Sequence, residues 1–115
     1  VRVRFGRYGV AFYTNFLVAR KHGGSTYGPF AFIRPVHVRD EGLFQHEMVH
    51  TRQFWRYLGL QSLFTTQLQR ELEAYKVQMG LYAEDKAPLF AYYLAHNYEK
   101  INITEQEALE LLRRK

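Results

Sequence analysis

Apolar and polar positions follow one rhythm before Asp40 and another after it. In the first part Val1, Val3 and Phe5 alternate with Arg2, Arg4 and Gly6, which is the two-residue period of a strand. Tyr8 to Val18 is rich in aromatic and β-branched residues and predicts a second strand. Lys21-His22-Gly23-Gly24-Ser25 and Tyr27-Gly28-Pro29 read as turns. Phe30 to Val38 predicts a further strand, placed at an edge or bulged because Pro35 cannot donate a ladder hydrogen bond.

From Asp40 onward the rhythm is helical. Asp40 is suited to cap a helix over Glu41–Leu58, which Gly59 ends. Ser62 is suited to open a second helix reaching Met79 and Gly80. A third helix is expected over Pro88–Asn97, with proline in its first turn. Thr104-Glu105-Gln106-Glu107 has the form of a capping box and opens a last helix through Leu112. Together these elements predict an α+β protein: an antiparallel N-terminal sheet of about three strands packed on roughly three or four helices, one domain over residues 1–115.

Composition narrows the class. A chain of 115 residues supports one core, and 47% apolar content marks it as globular rather than disordered. No apolar run approaches the roughly 18 residues that span a bilayer, and no secretion signal opens the chain. The expectation is a protein without a membrane segment, cytoplasmic or virion-associated. The chain begins at Val1 rather than Met, as a trimmed or excised piece would. With no cysteine, disulfides and thiolate metal sites are excluded. Asn102-Ile103-Thr104 fits a glycosylation acceptor, but without a secretion signal the match is read as chance.

Charge is unevenly spread. Residues 1–39 carry seven basic side chains and no acid, whereas residues 40–115 carry nine basic and eleven acidic ones. A basic segment of this kind is suited to an acidic partner or substrate, although a solvated strand surface explains it as simply.

The candidate chemistry lies in His46-Glu47-Met48-Val49-His50, the pattern H-E-x-x-H within an expected helix. Residues four apart fall on one helix face, about 40° apart, so both imidazoles can reach one zinc ion. Glu47 stands about 100° round from His46, where its use is proton transfer rather than ligation. Composition alone would produce the motif roughly once or twice in a hundred such chains. His46, His50, Gln53 and Tyr57 form one stripe, and a stripe of His and Gln has no obvious packing purpose.

A third ligand is offered by Glu71-Leu72-Glu73-Ala74-Tyr75. Glu73 shares its face with Gln69, Arg70, Lys76 and Gly80, a solvated set, whereas Glu71 shares its face with Phe64, Gln67, Leu68 and Tyr75, a mostly apolar set. A carboxylate on an inward face needs a compensating charge, which a metal supplies, so Glu71 is preferred. Ala74 is small enough to let the two helices approach closely.

H-E-M-V-H followed by E-L-E-A-Y resembles the gluzincin zinc metallopeptidases, over roughly residues 30–80. The resemblance implies His46, His50 and Glu71 as zinc ligands, Glu47 as general base, and a peptide or protein substrate paired along the strand Phe30–Val38. His50-Thr51-Arg52-Gln53 is similar to small peptidase-like proteins of bacteria and their phages. Many gluzincins have Asp where this chain has Tyr75, and that Asp orients a ligand histidine. Tyr75 must then act through its hydroxyl, or another group must take the role. Tyr75, Tyr92, Tyr93 and His96 are the candidate donors to an oxyanion. His22 and His37 lie outside the motif and are read as packing or surface residues.

Two other functions compete with hydrolysis. One is a non-catalytic zinc-binding scaffold, such as a virion or complex component. The other, less favoured, is a nucleic-acid module using the basic segment, with Tyr8, Phe12, Tyr13 and Phe16 as stacking groups.

Overall fold

The computed structural model describes residues 2–18 and 20–114, so Val1 lies outside the described residues. Four short strands form one sheet: β1 (Arg2–Phe5), β2 (Val10–Tyr13), β3 (Gly24–Tyr27) and β4 (Phe30–Ile33). A single 3-10 turn at Pro35–His37 leads into α1 (Glu41–Arg56). There follow the one-turn α2 (Gln61–Phe64), then α3 (Gln67–Met79), α4 (Ala87–His96) and α5 (Glu105–Arg113). The α+β reading holds, and no described helix is long and apolar enough to cross a membrane.

The sheet departs from expectation in three ways. It has four strands in the order β1-β2-β4-β3. It is mixed rather than antiparallel, because β2 and β4 run parallel, with Val10 opposite Phe30 and Tyr13 opposite Ile33. And β4 is an inner strand; the edge beside the helices is β3, which the Gly-Gly-Ser composition disguised as a turn. A parallel pair needs a crossover. Here β3, the next strand after β2 in the chain, lies beyond β4, and the chain returns through the tight β3–β4 turn, where Gly28 takes φ +62°. Pro35 lies outside the sheet, in the first turn of the 3-10 segment, so its missing N–H is harmless there.

Alternation decides which sheet face meets the helices. Ala11, Tyr13, Ala31 and Ile33 point inward and pack with Phe44 and Met48 of α1. A second apolar cluster joins Tyr75 of α3 to Phe90, Ala91 and Leu94 of α4, and to Ala108 and Leu112 of α5. Thus α1 belongs to the sheet core and α3 to the helical core. Their contact is the seam of the molecule, and fully buried Ala74 lies on α3 as the small residue a close approach needs.

Helix starts follow the cap residues. Asp40 accepts from the Leu43 N–H at 3.0 Å, and Thr104 forms the expected capping box with Glu107. The expected helix from Ser62 is instead two. Thr65 and Thr66 are extended, and Thr66 restarts the chain as α3 through a capping box with Gln69. Two consecutive β-branched threonines carrying hydroxyls are better suited to a cap than to a helix interior.

The aromatic set Tyr8, Phe12, Tyr13 and Phe16 is divided by the sheet. Tyr13 is in the core, while Phe12 stacks on Phe32 on the opposite face with ring centroids 5.5 Å apart. These four rings therefore do not form one stacking surface.

Candidate metal centre

The motif lies in the middle of α1, where its side chains divide between two directions. Phe44 and Met48 face the sheet; His46, Glu47, His50 and Gln53 line a cleft of about 840 Å³ between β3 and the helical layer. Its opposite wall includes Glu71, Tyr75 and Gln78 of α3, together with Tyr93 and Tyr98.

Glu71 crosses the seam to both imidazoles. His46 Nε2 lies 3.1 Å from Glu71 Oε1. His50 Nε2 lies 3.2 Å from the same oxygen and 3.1 Å from Oε2. One donor atom from each residue falls within a group no wider than 4.8 Å. Ligands about 2.0–2.1 Å from a common ion in a tetrahedral set lie about 3.4 Å apart, so the spacing suits one small divalent cation. The donor chemistry fits as well, because two imidazoles and a carboxylate are ordinary zinc ligands. His46 and Glu71 are buried, with Glu71 8% exposed, and His50 is partly buried.

Burial would raise the Glu71 carboxyl, but the two imidazoles and their hydrogen bonds hold it well below the usual carboxylate range. Burial likewise opposes a charge on His50, yet Glu71 and the bond to Gln53 outweigh it and push the imidazole up to about 9. The Tyr98 hydroxyl adds a further donor to Glu71 Oε1 at 3.2 Å. Burial, followed by the negative charge of Glu71, raises Tyr98 and keeps it protonated.

Glu73 faces α1 rather than solvent, contrary to the sequence reading. It accepts from the Gln53 amide at 2.7 Å and from Arg52 and Arg56 at 3.3 and 3.4 Å. Both carboxylates therefore reach α1, Glu71 at the two histidines and Glu73 at Gln53, Arg52 and Arg56.

The arrangement also shows what orients the histidines. The Tyr75 hydroxyl does not reach them. With Tyr98 donating to Glu71, Tyr75 is the donor in its 2.8 Å bond to Tyr98, and its ring packs against His46 with centroids 4.4 Å apart. Gln53 takes the orienting part for His50: Nδ1–H donates to Gln53 Oε1 at 2.9 Å, leaving Nε2 free to face Glu71. Glu73 and the Arg70 carbonyl fix the amide in turn. Gln53→Leu is expected to weaken metal binding by about 10- to 100-fold with the fold kept, the usual scale for an orienting partner; competition with a chromophoric chelator measures it. His46 Nδ1 is buried without a hydrogen-bond partner, so no side chain orients this second ring through that nitrogen.

Glu47 is 3% exposed and stands apart from the three-donor group. Thr26 on β3 donates to its Oε1 at 2.7 Å. Gly24 lies directly above: a Cβ there would come within 2.9 Å of Glu47 Oε2. The edge strand therefore clasps Glu47 from above, and the glycine is what permits this approach.

Other expected residues divide. Tyr75 and Tyr93 line the cleft, and so do His22 and His37. Tyr92 and His96 stack together outside it, where His96 is bonded to Glu105. Residues the sequence reading missed are Thr26, Tyr98 and the full role of Gln53. Gln53's place in the stripe was the available signal; for Tyr98, in the turn after α4, the sequence carries none. No family model, curated protein or solved structure matches this chain.

Proposed function

We propose that this protein is a zinc-dependent peptidase of gluzincin type, with His46, His50 and Glu71 holding the ion and Glu47 as the base. The observation that carries the reading is the convergence of three ligating atoms beside a separate, buried carboxylate at one cleft. A zinc ion there would supply Lewis acidity, polarising a carbonyl and lowering the pKa of water towards about 7.

The chain's own residues do the rest. Glu47, held by Thr26, takes a proton from the attacking water and passes it to the leaving amine. β3 offers its open edge to an extended peptide, in the role first expected of Phe30–Val38. Tyr93 lines the cleft and is the remaining candidate donor to an oxyanion. Metal analysis of the protein purified without added zinc, together with digestion of a broad library of unfolded peptides, tests the proposal. One zinc per chain with cleavage supports it; zinc without any cleavage favours the scaffold reading.

Proton release gives an independent check. A ligand imidazole must be neutral, and His50, pushed up to about 9, carries a proton near neutral pH. Zinc binding there is expected to release about one proton, and affinity should fall by about tenfold per unit as pH drops below about 9. Calorimetry in buffers of different ionisation enthalpy reads the proton directly; no release near neutrality contradicts the assignment.

A further inference from the structure

We infer that the cleft selects peptides bearing acidic side chains, and that Arg20 and Lys21 are the residues that select them. This rests on the peptidase reading of the same site.

The cleft has few charges to spare. Its acids are Asp40, Glu47 and Glu71, and all three are engaged within the protein. Asp40 accepts from the Leu43 N–H and the Tyr82 hydroxyl. Glu47 accepts from Thr26, and Glu71 from both imidazoles and Tyr98. Among the cations, Lys86 pairs with Glu84, while Arg70 and Arg34 keep their charge but are partly buried and turned to neutral oxygens, of Thr65 and of His22 and Asn15. Arg20 and Lys21 line the same cleft, are exposed, and have no ion pair among the described residues. The segment they belong to carries no acid of its own, since residues 1–39 include none.

The fold places this pair beside the chemistry. Both lie on the crossover between β2 and β3, whose end is pinned to the site. The His22 ring packs on Tyr98 with centroids 4.8 Å apart, and Tyr98 donates to Glu71. The Arg34 guanidinium donates to the His22 carbonyl at 2.9 Å. Arg20 and Lys21 thus place two exposed cations at the rim of the cleft, just ahead of β3, which begins at Gly24. A lip of one sign over a low-dielectric cleft concentrates ligands of the opposite sign. An acidic side chain near the cleaved bond satisfies both cations, whereas a lysine or arginine there is repelled.

The test is equilibrium binding of fluorescent peptides to the metal-free protein, which does not depend on turnover. The peptides share one backbone and carry Glu, Gln or Lys at the positions flanking the centre. The acidic peptide should bind about tenfold more tightly than the basic one at low salt, the scale of two partly exposed ion pairs. The difference should vanish at about 1 M salt, where the screening length is about 3 Å. Arg20→Glu with Lys21→Glu should reverse the ranking, while Lys76→Glu, exposed and outside the cleft lining, should preserve it.

Equal binding of acidic and basic peptides, an unreversed ranking in the double variant, or no peptide binding overturns the inference. So does binding of a single-stranded oligonucleotide without an acidic-peptide preference. Preference without any cleavage by the zinc-loaded protein leaves the inference standing and removes the peptidase reading. Cleavage of neutral peptides without charge preference does the opposite.

Discussion

Alanine at both His46 and His50 is expected to abolish the stoichiometric zinc binding proposed for this site. Two of three ligands are gone, and in structural zinc sites the ion is worth about 10–16 kcal/mol, so affinity should fall by roughly three orders of magnitude or more. The same change strands Glu71, which is buried and otherwise keeps the Tyr98 hydroxyl as its donor. Leaving a buried carboxylate without its partners costs about 3–5 kcal/mol, so the melting temperature should fall as well. His50→Gln keeps a side-chain amide that can donate to Glu71, and serves where the double variant is too unstable to purify. Glu71→Ala should weaken binding nearly as much as losing a histidine. Glu73→Ala acts only through Gln53, and a loss of about tenfold is expected. Inductively coupled plasma mass spectrometry and chelator competition measure all four variants. Full zinc content in the double histidine variant removes the site; a larger loss from Glu73→Ala than from Glu71→Ala reverses the ligand assignment.

What the sequence reveals here follows from how local the determinant is. The helix starts at Asp40 and Thr104 were legible because a cap is a contact between residues three apart. The histidine pair was legible for the same reason, since four residues of helix bring both rings to one face. Glu71 could be preferred from burial cost alone, and the structure brings it to both rings. Its neighbour was misjudged: Glu73 looked solvated because α3 alone does not reveal that Arg52, Arg56 and Gln53 of α1 face it.

The sheet was harder to read because its order depends on pairings between distant segments. β3 has little strand propensity of its own. Gly24 is there because Glu47 lies beneath it, a reason visible only once the sheet and α1 are brought together. Once β3 is recognised as the edge strand, Phe30–Ile33 becomes an inner strand with a partner on each side, and Pro35 lies beyond its end.

Glu47→Gln separates an enzyme from a scaffold. Glu47 follows a ligand histidine yet is not part of the donor group, and Thr26 and Gly24 of β3 hold it in place. Glutamine retains the size and still accepts from the Thr26 hydroxyl through its carbonyl oxygen, so the clasp between β3 and α1 survives. What it lacks is a basic oxygen. Zinc content, circular dichroism and melting temperature are therefore expected to match the wild type. Peptide cleavage is expected to fall by about 100-fold or more, as when a general acid–base group is lost. The loss should appear in kcat, because the substituted group acts on the proton in flight and not on substrate binding. Thr26→Val gives the complementary result: it removes the donor to Glu47 Oε1 and leaves the base, so a smaller loss is expected. Equal cleavage by Glu47→Gln and wild type at matched zinc content would show that the proton is carried by another group, and the mechanism proposed for Glu47 would fail.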